Sequence, residues 1–441
     1  MGSTNSRRRS PQRNRPVALL VALTLATAGF GFVRPVEGAS PELHVCPGCA
    51  FTTVHEALER APAGATVTVH SGYYPEGSLQ ISKPVTLRGN GYPILDGLGK
   101  GHIFYVTAPD VHIQGLTLYR TGVSSVTEFA AIRFHEIHRC SVRDNVILGA
   151  TYGIYLERSR DCAIERNRII GQSRSEVSGG NGIHLWYSQE MSIEGNQVEG
   201  HRDGLYMEFS ENLRIRKNTF EKNIRYGMHF MFSHHNHFHN NVFRKNTTGV
   251  AVMYSHDIDV KGNIFLRSWG GAFYGLLLKE ISDSYIQGNL IEGNTTGILL
   301  DSSNRNLIQG NSFRMNGWAI DVYGNNYGNR ITGNSFVGNH FDITTNSRRS
   351  ENTYDGNYWD RHHGYDGDGD GAGDVPYRPM SVFALWVNRN SELAILMNSP
   401  VVDFLEAAER VFPVITPDNM EDGRPLMKNP VRREDIVNAN P

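Results

Sequence analysis

The chain has 441 residues, with 43 Lys+Arg against 45 Asp+Glu, 46 Gly and 4 Cys. Near-balanced charge excludes a nucleic-acid surface built on bulk positive charge. Four cysteines are too few to staple a chain this long, so the core has to come from packing, and a repeat architecture is the first thing to test for.

Arg7, Arg8, Arg9, Arg13 and Arg15 precede an apolar run from Val17 to Val33, with small residues near Gly38 and Ala39. This is the layout of a secretory signal peptide over residues 1–38, and the paired arginines hint at twin-Arg export. A retained anchor is the weaker reading, because the run is barely long enough to span a bilayer. Without residues 1–38 the count becomes 37 Lys+Arg against 44 Asp+Glu, a net charge of −7, which argues against nucleic acid as a partner. No later segment has both transmembrane length and enough apolarity, so a soluble protein outside the cytoplasm is expected.

Cys46 and Cys49 follow in His44-Val45-Cys46-Pro47-Gly48-Cys49. In an oxidising compartment a local disulfide is expected ahead of a metal site. Residues 53–61 read as a short amphipathic helix, placed to cap the open end of a solenoid. Residues 81–87, 102–106 and 111–118 then alternate as strands do.

From Asn145 one pattern recurs, marked by Asn145, Asn167, Asn196, Asn218, Asn241, Asn263, Asn289, Asn311, Asn334 and Asn357, at steps of 22, 29, 22, 23, 22, 26, 22, 23 and 23. The longest step is explained by a solvated insertion over 173–181. Within each coil, runs such as Gly204-Leu205-Tyr206-Met207-Glu208 and Gly297-Ile298-Leu299-Leu300-Asp301 alternate with period two, sending every second side chain inward. A single coil cannot bury that face, whereas coils stacked about 4.8 Å apart can. The expected fold is all-β, a right-handed parallel β-helix over 39–377, with the Asn residues forming an internal ladder that satisfies buried backbone groups. Cys140 and Cys162 share one repeat position in adjacent coils, as core packing or as a disulfide.

Seven of eighteen histidines fall between His201 and His256, and five of eleven methionines between Met191 and Met253, so chemistry is sought there first. Registering the coils on their Gly gives an outward column Glu157, Trp186, Glu208, Met231, Met253, Lys279, Asp301. Its neighbour reads Tyr155, His184, Tyr206, His229, Ala251, Leu277, Leu299. Met231 and Met253 should then lie about 5 Å apart on the surface beside His229. The following turn adds His234, His235, His237 and His239, and His256 repeats the position of His234. Thioethers with imidazoles select Cu(I) over hard cations. The competing reading, core gap-filling, suits Met191, Met207 and Met228, whose phase is inward.

Further on, Tyr365-Asp366-Gly367-Asp368-Gly369-Asp370-Gly371-Ala372-Gly373-Asp374 alternates carboxylates with glycines, as calcium loops do, although Tyr377 stands where an EF-hand has its bidentate Glu. A structural Ca²⁺ held by Asp366, Asp368, Asp370 and Asp374 and a metal-free acidic turn are both open. Residues 393–412 look helical and apolar on one face, and 378–441 is expected to be a C-terminal cap and partner-docking segment.

With these features assembled, the chain over its whole expected mature length resembles the NosD family of periplasmic β-helix proteins, which help to mature copper-dependent nitrous oxide reductase. The residues that carry the resemblance are Tyr226-Gly227-Met228-His229-Phe230-Met231-Phe232-Ser233-His234, Asn357-Tyr358-Trp359-Asp360 and the stretch from Gly364 to Tyr377. The resemblance implies a periplasmic protein held at the inner membrane by a membrane permease subunit dimer with a cytoplasmic ATPase. It would receive copper as Cu(I) from a chaperone lipoprotein and pass it to apo nitrous oxide reductase. No catalytic residue is implied, and the absence of a Walker-type phosphate loop leaves ATP hydrolysis to the partner. The copper-handling candidates are Met231, Met253, His229, Glu208, His184, His234, His235 and His237.

Two rivals remain from the residues alone. A polysaccharide lyase, hydrolase or epimerase would need converging carboxylates or a basic residue beside them. Glu157 and Glu208 are expected two coils apart with no Arg or Lys on them. An inert adhesion solenoid would make no use of adjacent thioethers.

Overall fold

The computed structural model describes residues 41–438, apart from 125, 178, 271–272, 348–349, 397–398 and 412–419; the signal peptide expected over 1–38 lies outside them. Among the described residues, no helix is long and apolar enough to cross a membrane.

The alternating runs form a parallel β-solenoid of three sheets, with 14, 12 and 13 strands. Neighbouring strands in each sheet come from successive coils, so residue columns follow the repeat register. Inward positions are fully buried, as in the stack Leu205, Met228, Val250, Leu276, Ile298 of the 12-stranded sheet. Aromatic rings continue the core, with Phe220, Phe243 and Phe265 nearly parallel at 5.4 and 5.1 Å.

The asparagine ladder forms along the whole run from Asn145. From Asn167 on, each Oδ1 accepts both the backbone N–H and the Nδ2 of the preceding Asn, as Asn241 Oδ1 does for Asn218 at 3.0 Å each. Each Nδ2 also reaches a backbone carbonyl, as Asn218 Nδ2 does at Ile193 O, 2.9 Å. Backbone groups at the turn are therefore paired without water. The repeating Gly has a different cause. A Cβ on Gly227 would stand 2.6 Å from Gly249 O, so the tight stacking of coils excludes a side chain there.

At the N-terminal end the helix Val54–Arg60 is capped by Thr53, whose hydroxyl accepts Glu56 N–H at 3.2 Å, and it buries Val54, Ala57 and Leu58. Both cysteine pairs are disulfides, Cys46–Cys49 and Cys140–Cys162. The insertion lies between the strands Arg168–Ile170 and Asn181–Trp186.

The segment expected to be helical over 393–412 is helical in two pieces among its described residues. A 3₁₀ turn, Ser391–Leu396, is followed by a separate helix, Pro400–Val411, and Phe412 lies outside the described residues. Pro400 has no N–H to carry the hydrogen-bond ladder across the break. A preceding helix, Val382–Arg389, was not legible in the sequence; its Phe383, Ala384 and Val387 pack with Phe341 of the solenoid. The chain then returns. Asp422 sits beneath the last coil, and farther on Ile436 packs with Ile264 and Leu290 while Arg433 pairs with Glu292 at 2.7 Å.

Candidate functional site

The column read from the repeat is present residue for residue. In the 12-stranded sheet Glu157, Trp186, Glu208, Met231, Met253, Lys279 and Asp301 are successive register partners. Met231 and Met253 are directly paired neighbours on adjacent strands, and both are half-buried, facing away from the core. Met191, Met207 and Met228 are fully buried, as their phase required. The Tyr206 hydroxyl donates to Glu208 Oε2 at 3.0 Å and lies 3.8 Å from Met231 Sδ, so a carboxylate, a phenol and a thioether meet at one point. Beside them the turn residues Tyr187, Phe209, Phe232 and Tyr254 stack at 4.7, 5.3 and 4.9 Å. This aromatic stair follows the column by one residue in each coil, so the same repeat period carries it in the sequence.

The neighbouring column also has the expected register, but its histidines are not solvated. His184 is 6% exposed and His229 5%. Tyr155 stacks on His184 at 4.2 Å, Tyr206 meets His184 at a tilt at 4.8 Å and His229 edge-on at 5.2 Å, and Tyr152 and Tyr226 pack against them. Burial pushes the His184 imidazole down to about 3, helped by the charges of Arg202 and Arg133, so it is neutral. Both ring nitrogens of His229 are buried without a hydrogen-bond partner, and Nδ1 is 3.8 Å from Asp203 Oδ2. Asp203 is itself buried. Desolvation alone would raise its pKa, but His229 and the bidentate Arg225, at 2.9 and 2.5 Å, outweigh this and keep the carboxyl below its usual range.

The remaining histidines do not join the methionine pair on its sheet. His234 and His235 occupy the turn that follows Met231. His234 stacks on His256 at 4.0 Å and accepts the His256 N–H, and partial burial followed by the His256 charge lowers its pKa. His235 Nδ1 is 2.7 Å from Asp257 Oδ2. His237 lies on the 14-stranded sheet, where its Nδ1 is 3.6 Å from Asp259 Oδ2, and the same oxygen is 2.8 Å from His239 Nε2. Asp259 was missed in the sequence although it occupies the His237 position one coil later.

Of the acidic turn, Asp366, Asp368 and Asp370 bring carboxylate oxygens within 4.8 Å of one another. Asp374 instead accepts Gly367 N–H at 2.7 Å. Asp366 accepts Gly369 and Gly371 N–H, and Arg424 pairs with Asp370 at 2.6 Å. The donor set fits a hard cation in kind, while the backbone and Arg424 already claim part of it.

One expectation about charge is corrected. An arginine does converge on Glu157, with Arg133 at 2.5 Å and His135 at 3.2 Å. Arg133 belongs to the preceding coil, where it is the register partner of Tyr155, and it stacks over the Tyr155 ring; its reach to Glu157 crosses between columns.

The model of the family described as "Periplasmic copper-binding protein (NosD)" matches residues 171–364, the stretch that contains these histidines and methionines. A relative from Pseudomonas aeruginosa named "Probable ABC transporter binding protein NosD" is 32% identical over 95% of this chain and 96% of its own length. Its namesake from Stutzerimonas stutzeri is 32% identical over 81% of this chain and 86% of its own length. Among solved structures, the Dettilon tailspike protein aligns with a TM-score of 0.53 at 14% identity, over 64% of this chain and 62% of that one. An alginate lyase of family PL6 aligns with a TM-score of 0.51 at 15% identity, over 76% of this chain and 54% of that one. At such identities these likenesses describe the fold alone.

Proposed function

Because this chain belongs to the NosD family, we propose that it is a periplasmic copper-handling factor that works with an ABC-type ATPase and membrane permease complex. In this reading it takes Cu(I) from a chaperone lipoprotein and presents it for assembly of the copper site of nitrous oxide reductase. The observation that carries the reading is the direct pairing of half-buried Met231 and Met253 on one outward column. Two thioethers one strand apart favour a soft monovalent ion over the hard cations abundant outside the cytoplasm. Glu208 and Tyr206 at the Met231 end offer an oxygen acceptor and a hydroxyl beside the sulfur. His184 and His229 lie under the aromatic cover, where an imidazole is a ligand only if the cover opens.

Copper is cargo here, so a surface of few, partly exposed ligands suits receipt and release better than a closed cage. The ATPase work belongs to the partner. The acidic turn Asp366, Asp368, Asp370 and Asp374 is assigned a structural Ca²⁺ that stiffens the C-terminal cap.

The test is anaerobic Cu(I) titration against a chromophoric chelator. The wild-type chain should compete for Cu(I), and the double variant Met231→Leu, Met253→Leu should lose that competition while melting as wild type does. Equal competition by both proteins would remove the thioether pair from the reading.

A further inference from the structure

On the sheet next to the methionine column, His237, His239 and Asp259 form a compact donor set. His237 and His239 stand two residues apart on the strand Asn236–His239, so both side chains leave the same outward face. Asp259 is the register partner of His237 in the next coil, and its carboxylate leans along the diagonal toward His239. One oxygen, Oδ2, is 3.6 Å from His237 Nδ1 and 2.8 Å from His239 Nε2. The imidazole rings stand 5.9 Å apart and nearly perpendicular, and one donor atom from each residue lies within 4.8 Å of the others. Donors bound at about 2.0–2.2 Å are about 2.8–3.1 Å apart when cis on a tetragonal ion and about 3.3–3.6 Å apart on a tetrahedral one, the range that the two measured distances span. The side chains are 53%, 34% and 27% exposed, so the set is open to solution yet held by the sheet.

We infer that His237, His239 and Asp259 form a second metal site, one that takes a divalent first-row cation and binds Cu(II) most tightly. Two neutral imidazoles and a carboxylate are a borderline-to-hard donor set, and among divalent first-row ions such a set binds Cu(II) best. This chemistry differs from that of the thioether pair, whose two soft sulfurs lie beside oxygen groups and have no exposed imidazole on their sheet among the described residues. The two faces are joined by the turn from Phe232 to His235 and lie on different sheets. The inference does not depend on the Cu(I) reading. Arg216, the register partner of His239 in the coil before, is tied to Glu194 at 2.7 Å, and exposed Lys261 is the partner in the coil after. The cationic charges beside the triad are therefore Arg214, the exposed register partner of His237 in the coil before, and Lys261, both on flexible stems that can turn to solvent.

The experiment is a Cu(II) titration of the purified chain followed by electron paramagnetic resonance and calorimetry, with melting temperatures taken in EDTA. The wild type should bind one equivalent whose spectrum shows coupling to two nitrogens. His237→Asn with His239→Asn, and separately Asp259→Asn, should each weaken binding by at least about tenfold without moving the EDTA melting temperature. Met231→Leu with Met253→Leu should leave Cu(II) binding unchanged, and Cu(I) competition by the triad variants should match wild type. Absence of saturable two-nitrogen Cu(II) binding in the wild type would overturn the site. So would retention of that signal in the triad variants, or its loss in a His234→Asn, His256→Asn control.

Discussion

Asp422 closes the asparagine ladder: its Oδ2 accepts the Asn357 backbone N–H at 2.8 Å and Asn357 Nδ2 at 3.1 Å, in the place the next Asn would fill. The same carboxylate takes Trp359 Nε1 at 3.0 Å and Gly356 N–H at 2.9 Å. A stack of coils leaves one unpaired edge at its end, and here a residue 65 positions downstream supplies the acceptors.

Asp422→Ala should therefore destabilise the chain by about 2–4 kcal/mol, since it leaves buried donors without acceptors. Asp422→Asn should cost less, because its Oδ1 can still accept from Asn357. Thermal and urea unfolding check this, and a wild-type melting curve for Asp422→Ala would refute the capping role.

The methionine pair separates binding from stability. Met231→Leu and Met253→Leu conserve volume at half-buried positions, so each should change stability by less than about 1.5 kcal/mol. Met228→Ala, by contrast, empties a fully buried position and should cost about 2–5 kcal/mol with no direct effect on copper. Equilibrium unfolding beside Cu(I) competition reads both quantities on the same samples.

Asp342 gives the chain a pH dependence. Burial, opposed by the nearby Arg361 charge, lifts its carboxyl to about 7, so the folded state holds a proton that the unfolded state releases near its ordinary value. Its contribution favours folding below that ordinary value, declines as pH rises toward 7 and is lost above it. Asp342→Asn should flatten this slope and raise stability at pH 8 by about 1–3 kcal/mol. Melting temperatures from pH 4 to pH 8 decide it; parallel curves for the two proteins would rule the group out.

The acidic turn is tested by calcium. Calcium should raise the wild-type melting temperature, and Asp368→Ala should remove that increment without abolishing copper binding. If calcium leaves the wild type unmoved, Asp366, Asp368 and Asp370 form a turn held by their own backbone contacts.

Period and phase were enough to determine the solenoid, the asparagine ladder, the inward Met207 and Met228, and the outward pairing of Met231 with Met253. These follow from sequence because equal repeat positions must stack, and strand alternation fixes which face each residue takes. What a face meets once it points outward is not set by period. Only the folded chain decided that His184 and His229 are covered by tyrosines, that Arg133 reaches Glu157, and that Asp259 joins His237 with His239. Those contacts depend on side-chain reach between coils and around turns. The tail is the clearest case, since nothing in the repeat says which distant residue will satisfy its last donors, and packing chose Asp422.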